Sequence, residues 1–289
     1  MQVGILTAPF GQVPLVDVVR WAGQQGIRSL EVAVGPGSRH CDVRTLLQGK
    51  AVDELKTACA AAGTRVTAIA NYANQLEPEL GKRRQTNDYL KATIDAAQAL
   101  GIDIVCAGGG MALPGKDKLK TIREDVPDVY GPIVEYAASK GVKIALENWF
   151  ATNLQGFDTF DAMFEAVSNA SFGLNYDPSH LIWQGVDYLD GVSRYASRIF
   201  YVHAKDCEIL EGRRRLVGWL GRGWWRYTIP GSGSIAWGPF IGRLRSIKYG
   251  GPLSIEHEDD SVGREDGFLM GKDFLEGFIS GARRTAHYA

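Results

Sequence analysis

Four short apolar runs in the second half of the chain each end on a side chain that can hold a cation or move a proton. Ile144-Ala145-Leu146 leads into Glu147, Leu174-Asn175-Tyr176 into Asp177, Phe200-Tyr201-Val202 into His203, and Leu253-Ser254-Ile255 into Glu256. Brought to one place, three carboxylates and an imidazole would bind one divalent metal, because gathered like charges repel unless a cation neutralises them. The oxygen-rich set suits Mn²⁺, Mg²⁺ or Co²⁺ at least as well as Zn²⁺, which favours more nitrogen or sulfur in tight sites. Such an ion stabilises the enediolate formed when a proton leaves the carbon beside a carbonyl. Taken singly, each residue has a plainer explanation, as a helix cap, a solvated loop acid or a bonded core histidine. The shared register at four consecutive strand ends is what singles the set out.

A repeated strand–helix unit must position them. Runs rich in Val and Ile at residues 3–7, 29–33, 65–70, 103–106, 143–147, 172–177, 199–203 and 252–257 alternate with helical patterns such as 13–24, 52–62, 86–100 and 158–167. Gly26, Gly63, Gly101 and Gly141 stand just before strands, where helices end in the left-handed conformation. Eight βα units in 289 residues predict an α/β fold, a single (β/α)8 TIM barrel over residues 1–289. Such barrels usually take about 250 residues and place their chemistry at the C-terminal strand ends.

The Leu146-Glu147-Asn148 step, the DPSH of Asp177 to His180, the HAKD of His203 to Asp206, the PGSGSIAW of Pro230 to Trp237 and the GPLSIEHED of Gly251 to Asp259 together resemble the sugar phosphate isomerase/epimerase family of xylose isomerase-like TIM barrels. The resemblance covers nearly the whole chain. It implies one ion, Mn²⁺ in the first place, held by Glu147, Asp177, His203 and Glu256, with His180 reaching a substrate hydroxyl. It also implies that Glu147 and Glu256 are the catalytic acid/base pair of a metal-dependent keto-sugar isomerase or epimerase, and that the partner is a small carbohydrate. The alternative is a lyase of 3-keto-glycosides, in which the same proton abstraction expels a substituent. Dimers and tetramers are common among similar barrels.

Further side chains have a case. Lys205 could steady an enolate, or pair with Asp206 or Glu208 at the rim. Trp149, and less so Trp183, could stack on a sugar face. Glu31 ends the second strand and could bond a substrate hydroxyl, or pair with Arg28 or Arg39; His40 and Asn71 are weaker candidates. The segment near residues 208–230, rich in Arg and Trp, is expected to be a lid or subunit contact, in which Trp224 and Trp225 close over a ligand or pack against a neighbouring protomer. Arg213 to Arg215 could form a phosphate site, although such runs are more commonly solvated. Gly108-Gly109-Gly110 lacks the pattern of a phosphate loop.

Composition narrows the field. A formal net charge of -1 gives no basic surface for nucleic acid or an anionic membrane. Only five histidines occur, with Asn71 and Ala107 where the three-zinc cluster of a repair endonuclease would want more. No export segment or apolar span is evident, and four scattered cysteines read as reduced thiols, so a cytoplasmic location is expected.

Overall fold

Eight parallel strands close into a barrel in the computed structural model, which describes residues 1–280. They are β1 (Gln2–Leu6), β2 (Ser29–Ala33), β3 (Arg65–Asn71), β4 (Ile104–Gly108), β5 (Lys143–Glu147), β6 (Phe172–Tyr176), β7 (Ile199–Ala204) and, beyond a hairpin of β8 (Asp206–Ile209) and β9 (Trp225–Thr228), β10 (Pro252–Ile255). Around the barrel the order is β1, β10, β7, β6, β5, β4, β3, β2. Strands covered on both faces must be apolar throughout. Accordingly every residue of β4 and of β6 is buried.

Register sets the heights of the functional residues. Glu147 lies beside Asn175, and His203 beside Ser254. Because side chains repeat every second residue, Asp177 and Glu256 come up one layer above those partners on the same side.

The helix ends follow the glycine signals: Gly26, Gly63, Gly101 and Gly141 have φ of 71°, 65°, 77° and 71°. One helix starts earlier than its periodicity suggests. Leu80–Leu100 begins six residues before position 86 because the Glu79 carboxylate accepts from the amides of Gly81 and Lys82 at 2.6 and 3.0 Å. All four cysteines are buried and free. Among the described residues no helix is long and apolar enough to cross a membrane.

The segment expected as an insertion folds as the antiparallel pair β8–β9, with a short helix, Glu211–Val217, between the strands. Its root is fixed by Asp206, which is fully buried. The Asp206 carboxylate accepts from the amides of Cys207, Gly231 and Ile235 at 2.8, 2.9 and 2.9 Å and from the Trp237 indole at 2.8 Å. This explains the PGSGSIAW motif, including Gly233, where a Cβ would fall 2.3 Å from Asp206 Oδ1. Asp206→Ala strands all these donors and is expected to lower stability by roughly 3 kcal/mol in denaturant unfolding. A loss under about 1 kcal/mol would show that the loop finds other acceptors.

Candidate active site

Glu147, Asp177, His203 and Glu256 each offer one ligand atom, and these atoms lie within 4.8 Å of one another. Backbone interlocks hold them. The Asn148 side chain bonds both the amide and the carbonyl of Asp177, each at 2.8 Å, tying the end of β5 to the end of β6. Asp177 Oδ1 accepts from the Ser179 amide at 2.7 Å. Its Oδ2 is buried and meets no hydrogen-bond donor in bonding geometry. A buried carboxylate oxygen without a partner is costly unless something cationic completes it. That oxygen accepts no hydrogen bond, although the Lys205 ammonium stands 3.4 Å and His180 Nε2 3.5 Å from it, and set among two further carboxylates and an imidazole it fits a divalent ion.

His203 is oriented for this role. Its Nδ1 lies 3.0 Å from Glu256 Oε2 and 3.3 Å from Glu147 Oε1, while Nε2 lies 3.0 Å from Glu31 Oε2. With Nε2–H donating to Glu31, the lone pair on Nδ1 faces the carboxylates, the arrangement common behind metal-binding histidines. Glu31 itself is fully buried, and it also accepts from Tyr72 Oη at 2.6 Å and Ser254 Oγ at 2.7 Å. The expectation that Glu31 bonds substrate, or pairs with Arg28 or Arg39, therefore needs correction, since its carboxylate lies beneath the site with its oxygens already accepting. Glu31→Gln is expected to weaken metal binding by about 10–100-fold in competition with a chelating dye. Unchanged affinity would separate Glu31 from the His203 ring.

Charge is balanced locally. Burial alone would raise both glutamates, but bonds from His180 and His203 hold Glu147 well below the usual carboxylate range. Glu256 is lowered too: burial and the Glu147 charge push it up, and Lys205 and His203 outweigh them. Burial alone would lower His203, yet Glu31 and Glu256 hold it well above its ordinary value. A metal at Nδ1 must displace that proton. Affinity should therefore rise with pH up to the raised value, and loading near neutrality should release about one proton, readable by calorimetry in buffers of different ionisation enthalpy. Without metal, the pairing contributes stability fully present below the ordinary histidine value and lost as pH rises through the raised one. Uptake that ignores pH between about 6 and 8 would remove Nδ1 as a ligand.

Lys205 is buried, and its rim pairing with Asp206 or Glu208 does not occur; Glu208 pairs with Arg226 at 2.7 Å. The Lys205 ammonium instead stands 2.6 Å from Glu256 Oε2, 3.0 Å from Glu258 Oε2 and 3.4 Å from Asp177 Oδ2. His180 completes the cluster. Its Nε2 is 3.3 Å from Glu147 Oε1 and 3.2 Å from Lys205 Nζ, and its Nδ1 is 2.6 Å from the Tyr227 hydroxyl.

Above these groups opens a cavity of about 710 Å³ whose lining includes Glu147, Glu256, His180, Lys205 and Trp149. Arg213 to Arg215 do not line it, and Arg214 pairs with Glu211 at 2.6 Å. Trp224 is buried, whereas Trp225 reaches the cavity. His40 binds Thr7 Oγ1 at 2.8 Å and the Val13 carbonyl at 2.6 Å, a structural tie. Asn71 accepts from the Ala73 amide at 3.3 Å and is absent from the lining. His287 lies outside the described residues. Sequence reasoning missed Tyr72, Phe150, Tyr227 and Glu258, all of which line the cavity. Tyr72 carried a usable signal, as a polar-tipped aromatic directly after strand β3.

Several known proteins share this frame. Protein YfiH of Bacillus subtilis is 29% identical over 97% of this chain and 100% of its own. Inosose dehydratase of Geobacillus thermodenitrificans is 26% identical over 61% of this chain and 64% of its own. Two solved structures superpose along nearly the whole fold. The IOLI protein with a bound zinc atom has a TM-score of 0.76 at 18% identity, covering 97% of this chain and 98% of the other. The 3-keto-D-glucoside 4-epimerase of E. coli has a TM-score of 0.71 at 17% identity, covering 97% and 99%. With residues 19–277 matching its family-wide pattern, the chain belongs to the xylose isomerase-like TIM barrel family.

Proposed function

We propose that this protein is a metal-dependent sugar-modifying enzyme, specifically a keto-sugar isomerase or epimerase that moves a proton between Glu147 and Glu256. The observation that carries this is the placement of two ionised carboxylates, from strands separated by β6 and β7, at 3.3 and 3.0 Å from His203 Nδ1 and in one group with an Asp177 oxygen that accepts no hydrogen bond. The ion, Mn²⁺ first and Mg²⁺, Co²⁺ or Zn²⁺ as alternatives, supplies Lewis acidity to a carbonyl and a neighbouring hydroxyl when held by Glu147, Asp177, His203 and Glu256. One glutamate, ionised, would then take the proton from the carbon between those oxygens, and the other, having first taken up a proton from solvent, would deliver that proton to the opposite face or to the adjacent carbon; the first then releases its proton to solvent. Lys205 keeps Glu256 ionised beforehand and offers a positive charge to the enediolate. His180 fixes the Glu147 carboxylate and presents its ring edge to the cavity.

One observation favours elimination as a second outcome. Burial pushes the Tyr227 phenol up, so it stays protonated, and it sits 2.6 Å from His180 Nδ1 at the cavity wall. A neutral phenol there can protonate a departing oxygen, and the inosose dehydratase relative carries a name that describes such a loss of water. Free ketoses and 3-keto-glycosides incubated with metal-loaded protein in D₂O separate the outcomes. Deuterium in recovered sugar supports isomerisation or epimerisation, and a released aglycone supports elimination. Neither, with metal bound, would sink the enzymatic reading.

A further inference from the structure

The cavity has a polar floor and an aromatic upper wall, and the wall is built by the hairpin. Trp225 and Tyr227 are two residues apart on β9, so they share a face, while Arg226 between them points away to Glu208 and Asp259 at 2.7 and 2.9 Å. Trp225 is braced from behind by Trp183, with ring centroids 4.5 Å apart and planes 9° from parallel. Phe150 meets both rings edge-on, at 88° and 86°. These contacts fix the wall in one orientation. Trp149 stands at the lip, 40% exposed, with its ring edge-on to Phe150 at 6.1 Å.

The wall is continuous with the chemistry. The His180 ring that bonds Glu147 lies 5.0 Å from the Tyr227 ring, which lies 5.0 Å from Trp225. A sugar whose carbonyl reaches the carboxylates would fill the lower part of the roughly 710 Å³, leaving the aromatic part beside whatever the sugar carries. Cavities of about 300–1,000 Å³ typically enclose drug-sized ligands, larger than one sugar ring. The Tyr227 hydroxyl stands between the two parts, where sugar and substituent would join.

The geometry points to Trp149, Phe150 and Trp225 as a second subsite, which takes a flat apolar substituent carried by the reacting sugar, so that the preferred substrates are aryl glycosides of a keto-sugar and not free sugars. This rests on the keto-sugar function proposed above. It goes further in naming the substituent and the residues that select it.

The test compares methyl and phenyl β-glycosides of 3-oxo-D-glucose, titrated by calorimetry into the metal-loaded protein. The phenyl compound is expected to bind about tenfold more tightly, the scale of one aromatic contact. Trp149→Ala, at an exposed position, and Trp225→Ala should each reduce the preference to within about twofold while Trp149→Phe retains it. Circular dichroism confirms that each variant is folded, and the Trp149 pair keeps the test informative if Trp225→Ala unravels the hairpin. Equal affinity, no heat from either glycoside, or a preference undiminished in the folded Ala variants would overturn the subsite. Deuterium exchange into the same compounds is scored separately. Exchange without aryl preference removes the subsite alone, whereas aryl preference without exchange leaves the subsite and removes the proton-transfer function.

Discussion

Glu256→Gln, and separately Glu147→Gln, is expected to lower product formation by about 10³-fold, the usual worth of a positioned acid or base. Each substitution keeps the shape and the ability to accept a hydrogen bond but removes the basic carboxylate. The two should not fail alike. Lys205 is 2.6 Å from Glu256, so Gln at 256 leaves the ammonium with Glu258 at 3.0 Å and Asp177 at 3.4 Å. Gln at 147 loses the charge that His180 and His203 both face at 3.3 Å. If the proton enters from one glutamate and leaves to the other, one variant should retain exchange at the first carbon while losing product. Turnover within a few-fold of the original in either variant would refute the acid/base pair.

His203→Ala has the second-largest expected consequence, a loss of metal affinity of at least about 100-fold, read as metal retained after dialysis. The reason is double. The imidazole is the one nitrogen donor among the four proposed ligands, and it shields three surrounding glutamates from one another through contacts of 3.0 Å to Glu31, 3.3 Å to Glu147 and 3.0 Å to Glu256. Its removal leaves Glu31 buried with one partner fewer, so the variant should also melt lower even before metal is added. Full occupancy after dialysis would strike His203 from the ligand set.

The barrel and the meeting of Glu147, Asp177, His203 and Glu256 at its mouth were legible because a buried strand is largely apolar, so a carboxylate or histidine at its end stands out against the run that precedes it. Gly26, Gly63, Gly101 and Gly141 were legible for an equally local reason, the backbone conformation that ends a helix. Glu31 was not, because an acid read as ending the second strand in fact stands mid-strand in β2, and in sequence it looks the same whether it faces the mouth or a histidine across the barrel. That distinction depends on Ser254 and Tyr72, far away in sequence. Lys205 was read against its sequence neighbours Asp206 and Glu208, whereas both are taken up by distant loop groups or by Arg226. Tyr227 and Trp225 lie in a stretch of mixed Arg, Gly and Trp with no period to betray a strand. Only the hairpin pairing of Cys207 with Tyr227 turns them toward the mouth.

The hairpin has one further implication. The two glutamates proposed to move the proton are rooted at the ends of strands in the closed parallel ring, whereas the roof over them hangs from a separately paired ribbon, gripped at its base by Asp206 and at its outer edge by Arg226. Apart from Tyr227, whose hydroxyl bonds His180, the ribbon can therefore be rewritten without touching the floor of the cavity, and laboratory recombination of the stretch between those two fasteners offers a compact route to altered selectivity.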